Sequence, residues 1–231
     1  MKRIKTGITG LDQMLGGGII EGRPYLVSGG PGSGKTIFGM QFLVEGMRSG
    51  EAGLFITLEE PAEEIFQNMA TFAWDLEKIS ILELTPTSER GSWFVPKNFA
   101  DSELNILNIS DKIQKAVEDT GAKRLVMDSV TTMKSLLSTE FEIRKTMLSF
   151  VQFLSSLGCT SLLISEISNE VEVESFLARG VIRLHTISDR GAKKRACEIE
   201  KMRGMPFDEQ LRPMKITDEG IVIYPSDTLF S

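Results

Sequence analysis

Cysteine and histidine are nearly absent: Cys159, Cys197 and His185 are the only examples in 231 residues. The two cysteines lie far apart in different apolar segments, which favours buried, reduced thiols over a disulfide or a metal pair. A lone histidine excludes a His-based metal cluster, and its position on a predicted strand suits packing or an edge better than catalysis. No apolar run approaches the roughly 20 residues that span a bilayer. Met1-Lys2-Arg3-Ile4-Lys5 passes into Thr6-Gly7-Ile8 without the apolar core of a signal peptide, so a cytoplasmic protein with no membrane partner is expected. A net basic charge is also lacking, with 26 Lys and Arg against 32 Asp and Glu. A net charge of -6 and a pI near 5.1 argue against a constitutive nucleic-acid binder, which normally presents a basic face. The best candidate for a basic patch, Arg190 to Arg195, reads as a solvated hairpin tip ahead of a nucleic-acid contact. Internal repeats and low-complexity linkers are missing as well.

What is present is globular. With 41% hydrophobic and 25% charged residues, the chain can bury the core of one large domain, residues 1–231. Apolar runs at Tyr25-Ser28, Leu54-Leu58, Ile79-Leu84, Arg124-Met127 and Thr160-Ser165 alternate with helix-compatible stretches. That alternation predicts an α/β fold with a mainly parallel central sheet flanked by helices on both faces. The clearest helix is Glu140 to Leu157, where Ile143, Met147, Val151 and Leu154 share one stripe. After about Gly180 the period changes to two, at Val181-Ile187, Ala196-Arg203, Met214-Thr217 and Ile221-Tyr224, which predicts an antiparallel extension at the C-terminal end. Residues 85–108 are polar and irregular, and read as a mobile surface excursion carrying Trp93. Trp74 is expected to pack beneath a helix, and the eleven methionines suit core filling.

The most specific signal is Gly29-Gly30-Pro31-Gly32-Ser33-Gly34-Lys35-Thr36, a complete Gly-x4-Gly-Lys-Thr phosphate loop between an apolar run and a helix-compatible stretch starting at Ile37. Glycines let successive N–H groups turn inward around phosphates, and the following helix N-terminus adds positive potential. Lys35 is placed to reach the outer phosphates, and Thr36 offers a hydroxyl to Mg2+. A nucleoside triphosphate is therefore the expected ligand. Leu125-Val126-Met127-Asp128, an apolar strand ending in aspartate, supplies a second Mg2+ oxygen in the order such sites require. Glu59-Glu60 ends the preceding candidate strand and is followed by Pro61. One of the two can polarise the attacking water, or both can cap the next helix.

Thr6-Gly7-Ile8-Thr9-Gly10-Leu11-Asp12, Gly16-Gly17-Gly18, the phosphate loop, Glu59-Glu60, Phe72-Ala73-Trp74-Asp75-Leu76, the Asp128 strand, Lys201-Met202-Arg203-Gly204 and Ile216-Thr217-Asp218-Glu219-Gly220-Ile221 together resemble the RecA superfamily, and KaiC in particular. The similarity covers nearly the whole chain. It implies a RecA-like core, ATP rather than GTP, Mg2+, and slow hydrolysis at the subunit interfaces of a homo-oligomer, with a hexameric ring expected. By the same resemblance the paired glutamates are catalytic, Lys201 and Arg203 reach a neighbour's γ-phosphate, Thr217 and Asp218 approach a neighbour's base, and Glu166 senses the γ-phosphate. The absence of an Asn-Lys-x-Asp motif agrees with adenine. Departures are expected: a single domain in place of the tandem pair and no long C-terminal extension, while Ser175-Phe176 stands where the autokinase half has Ser-Thr. Dual autophosphorylation is therefore not expected, although Ser175 keeps an autokinase or sensor reading open. A recombinase-like, nucleic-acid-dependent motor is disfavoured, because Glu166, Glu170, Glu172 and Glu174 would repel phosphates. An unidentified protein partner is left open.

Overall fold

Alternate residues of the central strands feed two separate cores. Tyr25, Val27, Val126, Leu162 and Ile164 belong to one cluster, while Leu26, Leu125, Met127 and Leu163 belong to the other. Strands buried on both faces read as continuous apolar runs, which is why the sequence carried them so plainly. The computed structural model describes residues 1–84, 106–167, 172–189 and 191–229.

Along the chain the elements are β1 (Arg3–Ile4), α1 (Leu11–Met14), β2 (Ile19–Ile20), β3 (Pro24–Gly29), α2 (Lys35–Arg48), β4 (Gly53–Thr57), α3 (Ala62–Met69) and β5 (Ile79–Glu83). There follow α4 (Ile106–Thr120), β6 (Arg124–Asp128), α5 (Val130–Ser135), α6 (Glu140–Ser156), β7 (Thr160–Glu166) and α7 (Val173–Leu177). The last strands are β8 (Gly180–Asp189), β9 (Ala192–Met202), β10 (Arg212–Thr217) and β11 (Gly220–Ile223). Among the described residues, nine strands form one sheet in the order β11-β10-β9-β8-β3-β7-β6-β4-β5. β8 is parallel to β3 on one edge and antiparallel to β9 on the other, so the sheet changes sense at β8 and the antiparallel extension proper begins with β9. The parallel part and the extension match the expected α/β architecture.

Helix α6 starts at a capping box in which Thr139 accepts from the Glu142 N–H and Glu142 reaches back to the Thr139 N–H. Its buried face is Met147, Phe150, Val151 and Leu154, with Ile143 packed partly against it. Arg124 opens β6 although it is only 1% exposed. It donates to Glu51 Oε2 at 2.6 Å, to the Lys5 carbonyl at 2.9 Å and to the Phe42 carbonyl at 3.0 Å, and lies 4.6 Å from the Phe42 ring centroid. Gln41 of α2 fastens the N-terminal segment to the last strand, accepting from the Ile221 N–H at 2.7 Å and donating to the Gly7 carbonyl at 2.9 Å. Within that segment Asp12 Oδ1 accepts from both the N–H and the hydroxyl of Thr6, each at 2.8 Å.

Cys159 and Cys197 are buried free thiols, as expected, and burial raises the pKa of both. His185 lies on β8, half-buried, 3.5 Å from Glu198. Trp74 differs from expectation. It sits in the loop after α3 and stacks on Phe72 at 4.5 Å, because the α3 helix ends at Met69 before reaching it. Apart from residues 106–108, which open α4, the excursion expected over 85–108, with Trp93, falls outside the described residues. No helix among the described residues is long and apolar enough to cross a membrane.

Candidate functional site

Strand β3 ends at Gly29, and the chain turns through Gly34, at φ 102°, into α2. A side chain at Gly34 would strain that left-handed backbone and press to 3.0 Å from Ile216 Cδ1, so only glycine suits the turn. At Gly39 a Cβ would come within 2.7 Å of Val126, so α2 lies unusually close on β6. That close seat brings the first turn of α2 to the end of β6, where Thr36 Oγ1 donates to Asp128 Oδ2 at 2.7 Å. Lys35 Nζ donates to the carbonyls of Gly29 and Gly30, both at 3.0 Å, and lies 3.8 Å from Glu166 Oε1.

One cleft is lined by Pro31, Gly32, Lys35, Thr36, Thr57, Glu59, Glu60, Asp128, Ser129 and Glu166. Its floor is the carboxyl edge of the parallel strands, where ligands of open α/β sheets bind. Burial is the main cause that pushes Asp128 up to about 6, opposed by the Thr36 hydrogen bond and reinforced by Glu59 and Glu60. The two glutamates are held differently. Glu59 Oε1 accepts from Ser129 Oγ and Thr132 Oγ1, hydroxyls of the segment that follows Asp128. Glu60 Oε2 accepts from Asn68 Nδ2 at 3.3 Å, on α3. Neither carboxylate bonds the N-terminal N–H groups of α3; Glu83 Oε2 accepts the Ala62 N–H instead, at 3.0 Å.

Four carboxylates facing one lysine make a cleft that would repel a bare polyphosphate, and a divalent cation removes that conflict. Thr36 and Asp128 present adjacent hard oxygens, which suits Mg2+, an ion that takes its remaining ligands from phosphates and water. The residues therefore fit Mg2+.

A second cleft continues from the first past Gly34 and Ile37 to Asn68, Met69, Thr71, Phe72, Arg195 and Ile216. Phe72 is backed by Trp74, whose Nε1 donates to the Glu219 carbonyl at 3.2 Å. Ile37, Met69, Phe72 and Ile216 give this mixed cleft an apolar side next to the phosphate loop, as a nucleoside requires. Arg195 reaches the Gly32 carbonyl from Nε and Nη2, both at 3.4 Å. Sequence reading missed Phe72, Ile216 and Arg195 as cleft residues. Phe72-x-Trp74 was the available signal for the aromatic wall, whereas nothing local marked Arg195. That arginine is not part of a freely solvated hairpin tip, because β9 carries it back over the loop.

Lys201 and Arg203 come together: both donate to the Phe176 carbonyl, at 3.4 and 2.9 Å, and Lys201 also donates to the Ser175 carbonyl. Burial, then the charge of Arg203, lowers the Lys201 pKa. They are not brought to this chain's own phosphate loop. Lys201 pairs with Val181, which pairs with Leu26, near the amino end of β3. The Arg203 carbonyl accepts from Arg23 Nη1 at 3.1 Å, just before β3. Thr217 and Asp218 form the β10–β11 turn, where Thr217 Oγ1 donates to the Gly220 carbonyl at 3.0 Å; neither lines either cleft. Ser175 Oγ is engaged by the Glu172 carbonyl at 2.7 Å. Glu172 and Glu174 do not form a free acidic row. Glu172 pairs with Arg183 at 3.0 Å and Glu174 with Lys134 at 2.6 Å, so their proposed repulsion of nucleic acid falls away; Glu170 and Arg190 lie outside the described residues.

The chain is similar to known proteins over nearly its whole length. The family model "ATPase: KaiC" matches residues 4–228. A UPF0273 protein of Thermotoga maritima is 37% identical across 98% of both chains. One from Pyrococcus furiosus is 36% identical across 99% of this chain and 96% of its own. A crystal structure of a KaiC-like protein from Pyrococcus horikoshii OT3 superposes with a TM-score of 0.83 at 35% identity, covering 97% of this chain and 99% of that one. With the family model matching nearly the whole chain and these relatives similar over their full lengths, the protein belongs to the KaiC family of P-loop ATPases.

Proposed function

We propose that residues 1–231 act as one domain that binds Mg-ATP in the joined clefts and hydrolyses it at the interfaces of a homo-oligomeric ring, in which Lys201 and Arg203 complete the site of the next subunit. The nucleotide state would then be signalled through those contacts. The observation that carries this reading is the separation between the phosphate loop and the basic pair. Lys201 is level with Leu26, so it lies about 10 Å down the strands from Gly29 and about 10 Å across the sheet. A head-to-tail copy brings the amino edge of one subunit to the carboxyl edge of another. The acidic cleft and the basic pair are charge-complementary in that arrangement.

In this site the backbone of Gly29 to Ile37 receives the phosphates, and Lys35 leaves its loop carbonyls for the outer phosphates. Bound Mg2+, held by Thr36 and Asp128, would neutralise phosphate charge and fix its geometry. Glu59 is the general base: two hydroxyls orient one oxygen and leave the other for water. Glu60 lines the same cleft and orders its rim with Asn68. Phe72 and Ile216 flank the adenine, and Arg195 stands over the loop. Half-buried Thr217 and exposed Asp218, at the hairpin turn, approach the neighbour's base. Hexamer is the proposed ring size.

Light-scattering size analysis with and without Mg-ATP, with phosphate release followed in the same samples, tests this. Assembly supported by nucleotide, with specific turnover rising as subunits associate, is the expected result. A persistent monomer with concentration-independent turnover contradicts the interface site, and a monomer that binds ATP without turnover points to a sensor.

A further inference from the structure

Helix α7 is five residues long, too short to be held by its own hydrogen bonds, so side chains must fix its place. At its start Glu172 pairs with Arg183. At its end the carbonyls of Ser175 and Phe176 receive Lys201 and Arg203. Between them Glu174 is 0% exposed, and its Oε1 accepts from Lys134 Nζ and Ser165 Oγ, both at 2.6 Å. Its Oε2 is buried without a partner. Keeping a carboxylate in such a place is costly for packing alone, since an apolar residue would fill it without an unpaired atom.

We propose that Glu174 is a positioning residue for the basic pair: it ties α7 to the cleft end of β7, and α7 in turn aims Lys201 and Arg203 at the neighbouring subunit's nucleotide. This inference rests on the trans-completed site proposed above. The tie begins beside the cleft, because Ser165 precedes Glu166, whose N–H donates to Thr131 Oγ1 at 2.8 Å, and Thr131 Oγ1 is 3.3 Å from Ser165 Oγ. It ends at the amino edge of the sheet, where the basic pair meets α7. Glu174 touches no substrate in this scheme; it acts only through where the two cations stand.

Glu174→Gln keeps the shape and removes the charge, and Ser165→Ala removes the hydroxyl that donates to Glu174 and meets Thr131 while leaving the Lys134 pair. For each, turnover, binding of a fluorescent ATP analogue and melting temperature are measured in the full chain. The same substitutions are then made in a Lys201→Arg background, which keeps a cation but alters its geometry. Turnover about tenfold lower in Glu174→Gln, with analogue binding within about twofold, is expected, since misplacement of a charged group by about 1 Å costs that much or more. The loss should shrink to below about threefold in the Lys201→Arg background, where positioning is already spoiled. Ser165→Ala should show the same pattern more weakly, and it carries the test if Glu174→Gln does not fold. Wild-type turnover in the variants, or a loss undiminished by Lys201→Arg, overturns the positioning role. Failure of the underlying reading looks different: Arg203→Ala would then turn over at the wild-type rate.

Discussion

Thr36 Oγ1 donates to Asp128 Oδ2 at 2.7 Å, so the hydroxyl that opens α2 and the carboxylate that ends β6 already face one another across 92 residues of sequence. The pair satisfies itself, yet burial still raises Asp128 to about 6.

Asp128 therefore opposes stability in the ligand-free protein. Its folded pKa of about 6 exceeds the ordinary value near 4, so the folded chain binds the proton more tightly. The penalty is absent below about pH 4, grows as pH rises through the window up to about 6, and is complete above it. Asp128→Asn, which can still accept from Thr36, should melt about 2–4 °C higher at pH 8 for each ~1 kcal/mol relieved. It should lose that advantage near pH 4 and no longer tighten ATP binding with Mg2+. Calorimetric melts across this range check the sign.

Lys35→Ala should weaken ATP binding by about a hundredfold or more, because a buried cation facing phosphates is worth roughly 3 kcal/mol of charge-assisted contact. Its Nζ now bonds only to loop carbonyls and Glu166, so the fold should change little. Equilibrium binding of a fluorescent analogue measures the loss, and circular dichroism checks the fold.

Phe72→Ala should weaken ATP binding about tenfold, from the roughly 1–3 kcal/mol that base–aromatic stacking provides. Inorganic tripolyphosphate, which has no base, should bind unchanged. Competition titrations with both ligands separate a nucleoside wall from general damage.

Arg124→Met should destabilise the fold by about 2–4 kcal/mol, since it leaves Glu51 and two backbone carbonyls without their partner. Chemical denaturation measures this, and ATP affinity of the remaining folded protein should be unaltered.

The parallel core was legible because strands buried on both faces are apolar throughout, and the phosphate loop because its chemistry permits few substitutions. Short helices such as α5 and α7 were not, because tertiary contacts rather than periodicity hold them. The same limit hid charge pairing. Glu174 reads as an exposed acid until Lys134, 40 positions away, is found beside it. Arg195 reads as one of several hairpin cations until β9 is seen to pass over the Gly32 carbonyl. Lys201 and Arg203 were legible as residues sharing a strand face and, through family resemblance, as a pair, but only the register of β8 and β9 shows how far they lie from their own loop.

Mixing two inactive variants tests the interface site most directly. Lys35→Ala lacks a working phosphate loop but keeps its basic pair; Arg203→Ala binds ATP but lacks its contribution to the neighbour. Alone, each should release phosphate far more slowly than the wild type. Mixed in equal amounts with Mg-ATP, they should regain turnover, because some interfaces join an intact loop to an intact basic pair. Turnover in the mixture no greater than the sum of its parts, in samples shown to co-assemble, would contradict completion of the site by a neighbouring subunit.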